Sequence, residues 1–189
     1  ALICPWVLYW HYGDTSFLAD AWDSMRAYMD YLATRKVKDG IRAHPETGWG
    51  GFGDWLAMDG SGRVDGGTPK DLIGTAFYAN NAWIMAASAE VLGRREEAHD
   101  WRALHQRIVA AFRDRFVTRQ GLLVSGTQTA HVLALHFDLL QPEHRAPAAA
   151  RLAALIRENE NRLGTGFVGT PYLLHVLEAA GELNLAYQL

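Results

Sequence analysis

Thr68-Pro69-Lys70-Asp71-Leu72-Ile73-Gly74-Thr75-Ala76-Phe77-Tyr78-Ala79-Asn80-Asn81-Ala82-Trp83-Ile84-Met85-Ala86-Ala87-Ser88-Ala89 is the stretch that decides the fold class. Threonine followed by proline is a helix start, an N-cap with a pre-set φ at the first helical position. Behind it, Leu72, Ile73, Ala76, Phe77, Ala79, Ala82, Trp83, Met85, Ala86 and Ala89 recur at helical spacing and cover most of the circumference, until Gly93 ends the run. A helix apolar nearly all round belongs inside an assembly of other helices.

The neighbouring segments supply those helices. After Gly13-Asp14, with Thr15 or Ser16 as cap, Phe17, Leu18, Ala21, Trp22, Met25, Tyr28, Met29 and Leu32 form one stripe, closed by Lys36, Lys38 and Gly40. Over 95–117, Trp101, Leu104, Ile108, Ala111 and Phe112 line one side while Arg102, Gln106, Arg107 and Arg113 lie elsewhere, the pattern of an outer helix. Further helices are expected over 127–140, 145–158 and 170–180, the last again opening on Thr-Pro, and one begins near Asn184. A short strand at Leu122-Leu123-Val124 is the one β signal. The expected class is therefore all-α, inner apolar helices paired with outer amphipathic ones and no internal domain boundary over 1–189. Repeated pairs of this kind can close into a ring, and roughly seven helices are fewer than a six-hairpin ring requires. With an apolar start at Ala1-Leu2-Ile3-Cys4-Pro5-Trp6 and no methionine before it, the chain reads as an internal segment.

Composition narrows the function classes. A chain of 189 residues with 49% hydrophobic content and a net charge of -3 is one ordinary soluble domain or a large piece of one. Lysine and arginine are scattered without interleaved aromatics, which speaks against nucleic acid as a partner. No apolar run reaches the roughly 20 residues of a membrane span. Cys4, the single cysteine, excludes an internal disulfide and leaves the compartment open, with a soluble cytoplasmic protein favoured.

The chemistry concentrates in Trp49-Gly50-Gly51-Phe52-Gly53-Asp54-Trp55. Aromatic rings stack on the apolar face of a pyranose, a carboxylate accepts hydrogen bonds from its hydroxyls, and glycines admit close backbone approach. This composition points to carbohydrate. Asp54 can bind hydroxyls, transfer a proton or cap the next turn, and its place between rings favours sugar contact. Trp55 and Trp49 are candidate platforms, whereas Trp22, Trp83 and Trp101 fall on apolar stripes and are expected in the core. Gly48, Gly50 and Gly53 match a dinucleotide-binding spacing, but no strand precedes them and bulky aromatics fill the turn. The stretch Asp59 to Lys70 departs from a calcium loop at Val64 and Lys70. His131 and His136, five apart, lie on different helical faces and do not make a metal pair. Ser125-Gly126-Thr127 lacks the glycines of a nucleophile elbow and reads as a helix cap. Glycoside hydrolysis normally takes two carboxyl groups, and one credible candidate is present.

Four blocks in order resemble the catalytic domain of bacterial α-L-rhamnosidases, glycoside hydrolase family 78. They are Gly51-Phe52-Gly53-Asp54-Trp55-Leu56, then Thr68-Pro69-Lys70-Asp71-Leu72-Ile73, then Thr127-Gln128-Thr129-Ala130 with His136-Phe137-Asp138-Leu139-Leu140, and Thr165-Gly166-Phe167-Val168-Gly169-Thr170-Pro171-Tyr172-Leu173-Leu174. Pro5-Trp6 and Tyr12-Gly13-Asp14 fit the preceding helix of that family. The resemblance implies part of an (α/α)6 barrel, inverting cleavage of terminal α-L-rhamnose, and no cofactor for the chemistry. It also implies that the general acid lies upstream of Ala1 and the general base downstream of Leu189. No catalytic residue is then expected in the segment, which alone should be inactive, and Asp54, Trp55 and the weaker candidate Trp49 carry over as sugar-binding wall. Partners are a rhamnose-containing glycoside and either the missing parts of the catalytic domain or a second copy. The rival classes are another helical-barrel glycosidase or lyase and a non-catalytic carbohydrate-binding or scaffold protein.

Overall fold

The computed structural model describes residues 1–48 and 50–189. Among them run helices α1 (Ile3–Tyr12), α2 (Ser16–Arg35), α3 (Lys70–Val91), α4 (Arg95–Phe116), α5 (Gln128–His136), α6 (Pro142–Glu158), α7 (Thr170–Ala179) and α8 (Leu183–Ala186). Two short strands, β1 (Val37–Lys38) and β2 (Ile41–Arg42), and one 3-10 turn (Pro45–Thr47) complete the regular structure.

Consecutive helices pack in pairs, α1 with α2, α3 with α4, α5 with α6 and α7 with α8. The odd-numbered helices also touch in sequence, α1 to α3 to α5 to α7, and so form an inner row. Burial is deepest in the middle of that row, where α3 buries 14 of its 22 residues and α5 eight of nine; α1 at its end buries none, and α2 and α4 bury one stripe each. On α2 that stripe is Leu18, Trp22, Met25, Met29 and Leu32, and on α4 it is Ala98, Ile108, Val109, Phe112 and Phe116. These stripes join the inner helices in one contiguous core through Met85, Leu133, Leu152 and Leu177.

Several boundaries differ from expectation for identifiable reasons. Helix α3 starts one residue late because Pro69 is extended (φ -55°, ψ 131°), and the Thr68 hydroxyl bonds to that of Thr127 at 2.7 Å instead of capping. Helix α5 stops at His136, since Asp138 turns left-handed at φ 56°. Helix α6 begins earlier than 145, at Pro142, whose fixed φ suits the first turn. Lys38 and Gly40 do not merely close α2. They belong to a hairpin whose register, Val37 to Arg42 and Lys38 to Ile41, leaves Asp39 (φ 51°) and Gly40 (φ 80°) as a two-residue turn of the primed kind that matches strand twist. Around Leu122-Leu123-Val124 a single bridge, Val117 to Leu123, replaces the expected strand.

Of the three tryptophans expected in the core, Trp22 is buried and Trp101 lies at the core margin. Trp83 is 46% exposed and meets the edge of Trp6 on α1 at 5.4 Å, a correction to the expectation. A helix apolar almost all round cannot reveal by periodicity which side lacks a neighbour.

Candidate carbohydrate-binding site

The first turn of α5 is the frame of the site. Thr127 takes an extended conformation and its hydroxyl accepts the Ala130 N–H at 3.3 Å, the capping role expected of this segment. Gln128, buried, reaches the loop after α6: its carbonyl oxygen accepts the Gly164 N–H at 2.8 Å and its amide donates to the Arg162 carbonyl at 3.2 Å. Thr129, also buried, donates its hydroxyl to Asp54 Oδ2 at 2.5 Å. Three consecutive side chains thus fasten the start of α3, the loop 162–169 and the loop 50–69 to one helix end.

Asp54 completes the junction. Oδ2 accepts the Gly166 N–H and Oδ1 the Val168 N–H, each at 2.7 Å. Its exposure is 0%, and no ion pair to it occurs among the described residues, so hydrogen bonds to its two oxygens replace the water it loses. The carboxylate faces the protein interior, its oxygens engaged by Thr129, Gly166 and Val168. Gly166 is required there, because a Cβ would lie 2.2 Å from the Trp55 carbonyl oxygen and 2.8 Å from Asp54 Oδ1.

Trp55, the next residue, points the other way and is 53% exposed. Its carbonyl accepts the Phe167 N–H at 3.0 Å, and the two rings lie 5.1 Å apart with 32° between their planes. Leu56 follows at φ 60°, a conformation that crowds a leucine, held by its N–H to the Val64 carbonyl at 2.8 Å. Trp49 lies outside the described residues.

The rest of loop 50–69 is closed by its own acidic residues. Asp59 accepts the Ser61 N–H at 3.0 Å and the Gly67 N–H at 2.6 Å. Burial opposes ionisation of Asp59, but hydrogen bonds from Ser61 and Gly67 outweigh it and hold its carboxyl below the usual value. Asp65 pairs with Lys70 at 2.6 Å and Arg63 at 3.2 Å, hydrogen bonds that lower its pKa to about 2. Among the described residues no cluster of three histidine, cysteine or acidic side chains could hold a metal.

The arrangement offers exposed rings on a rigid base, fit for stacking rather than for proton transfer. Asp54 and Trp55 were legible as a pair, with their neighbours' roles hidden. Thr129 and Gly166 stand 75 and 112 positions from the carboxylate they serve. The two blocks that contain them are visible in the sequence; their convergence on Asp54 is not.

The model of the bacterial alpha-L-rhamnosidase 6 hairpin glycosidase domain matches residues 1–189. The chain belongs to this family. Among its relatives, the alpha-L-rhamnosidase of Formosa agariphila is 39% identical over 189 residues, 99% of this chain and 20% of that protein. That of Streptomyces avermitilis is 40% identical over 185 residues, covering 98% and 17%. The solved structure of the Streptomyces avermitilis enzyme, complexed with L-rhamnose, superposes with a TM-score of 0.86 at 39% identity over 98% of this chain and 17% of that one. Native rhamnosidase from Aspergillus terreus gives 0.88 at 28% identity, over 99% and 22%. The chain thus spans about one fifth of the length of these relatives and is an all-α part of the six-hairpin domain. None of its helices is long and apolar enough to cross a membrane, among the described residues.

Proposed function

We propose that this chain forms a sugar-binding wall in the catalytic domain of an α-L-rhamnosidase, whose parent protein hydrolyses terminal α-L-rhamnose from glycosides with inversion. The general acid and base are supplied from outside the chain. The observation that carries this reading is the exposed Trp55 ring on a loop locked by buried Asp54, in a chain about 40% identical along its whole length to a rhamnosidase solved with L-rhamnose. In this reading Trp55 stacks on the sugar, Asp54 positions it from beneath, and Trp49 extends the platform by its place in the same loop. Val7, Leu8, Trp10 and Tyr12 on α1, all exposed, meet the remainder of the catalytic domain.

Hydrolysis of p-nitrophenyl α-L-rhamnoside by the full-length parent and by the segment, side by side, tests this. Activity is expected in the parent alone, because loss of acid and base catalysis removes roughly 10² to 10⁴-fold each. The isolated segment should also self-associate through its uncovered faces. An inactive parent, or an active and monodisperse monomeric segment, would sink the reading.

A further inference from the structure

Phe167 has no part in the function just proposed, yet its placement is specific. Residues 164–166 and Gly169 are buried and Val168 half-buried, so the main chain around Phe167 is pinned while its ring alone projects, 65% exposed, beside Trp55. A large apolar ring held in water by its own neighbours gains nothing for the core. Phe167 also lines an open groove of about 340 Å³, together with Leu56, Thr165, Gly166, Thr170 and Pro171. Its two hydroxyls, those of Thr165 and Thr170, are engaged with one another at 2.7 Å. The other side chains of the lining, Leu56, Phe167 and Pro171, are apolar and favour an apolar group.

We propose that Phe167 is a specificity-determining residue: with Leu56 and Pro171 it receives the methyl group at C6 of a terminal 6-deoxyhexose, while Trp55 takes the apolar face of the sugar ring. This rests on the rhamnoside reading above. L-Rhamnose and L-mannose differ only in that the first carries a methyl where the second carries a hydroxymethyl. A methyl set against Leu56, Phe167 and Pro171 gains apolar contact, whereas a hydroxyl in its place meets side chains that offer it no hydrogen bond.

The test is the ratio of kcat/KM for p-nitrophenyl α-L-rhamnoside to that for the α-L-mannoside, in the full-length parent. Phe167→Ala should lower that ratio by about tenfold, the discrimination an apolar pocket typically gives for a group of this size, chiefly by raising KM for the rhamnoside. Phe167→Leu should keep most of it, Phe167→Tyr should shift the preference toward the mannoside, and Leu122→Ala should leave it as it is. An unchanged ratio in active Phe167→Ala and Phe167→Tyr enzymes overturns the proposal alone. So does a fall in Tm with the ratio intact, which would make Phe167 a contact for another part of the parent. A wild-type parent inactive on the rhamnoside overturns both readings.

Discussion

Asp54 joins two loops through hydrogen bonds that only a carboxylate can complete. Both oxygens accept, from Thr129, Gly166 and Val168, so an amide of the same shape must point a donor at one of these donors. Asp54→Asn is expected to cost about 1–3 kcal/mol, and Asp54→Ala about that much for each buried donor left unpaired. Denaturant unfolding of the full-length parent measures the cost. If Asp54 acts through Trp55, Asp54→Asn should raise KM for the rhamnoside more than it lowers kcat. An Asp54→Asn protein of wild-type stability would show that the junction is held by something else. The pairing of Asp54 with Trp55 was readable because the two are adjacent and sit among aromatics and glycines. Their opposite orientations, one inward and one outward, were not, since an irregular loop has no period that assigns a face.

At the scale of elements, helix ends are secured by side chains distant in sequence. Arg113 on α4 donates from Nε to the Leu139 carbonyl and from Nη2 to the Leu140 carbonyl, both at 2.8 Å. Arg145 on α6 donates to Asp138 and to the Leu135 carbonyl. The Leu135 carbonyl belongs to the last turn of α5, and those of Leu139 and Leu140 to the segment that follows it. Removing the Arg113 fork should destabilise by about 1.5–3 kcal/mol, the range for hydrogen bonds from a charged donor. Arg113→Lys should recover only part, because a single ammonium cannot present two parallel N–H groups in a plane. Equal stability of Arg113→Ala and wild type in thermal melts would contradict this. Exposed pairs such as Arg151 with Glu158 should matter far less. Arg113 read from sequence as part of a solvated face. Its two carbonyl partners lie beyond α5, and no helical periodicity links them to α4.

At the scale of the molecule, the buried inner row sets a pH limit. His131 on α5 is buried, and its Nδ1 lies 2.9 Å from the Thr127 carbonyl, which can only accept, so Nδ1 carries the proton. Burial disfavours the charged imidazolium and pushes the His131 pKa below its ordinary 6.5, against the opposing pull of the Thr127 bond. The sign follows: the unfolded chain takes up a proton near 6.5 where the folded one does not. Stability from His131 is therefore full above that pH and declines as pH falls through it. Half-buried His105 is displaced in the same direction, also by burial. Asp65 adds a separate loss between about pH 4 and its folded value of about 2, weakened by solvent screening. Unfolding measured from pH 7 to 5 should show declining stability, and His131→Gln should flatten that slope; an equal slope in the variant would refute the assignment.

Apolar periodicity by itself determined the all-α class, the inner character of α3 and the amphipathic outer helices, because each of those features repeats within one element at 3.6-residue spacing. Order along the chain sufficed to bring the four blocks into one family pattern. Only the tertiary structure decided what the blocks do together. Thr129, Gly166 and Asp54 meet because three loops converge on the start of α5. Trp83 faces Trp6 because α1 covers only part of α3, and Phe167 stands beside Trp55 because its backbone N–H bonds the Trp55 carbonyl. Contacts between residues far apart in sequence depend on how helices pack and where loops cross, and no local pattern of side chains encodes them.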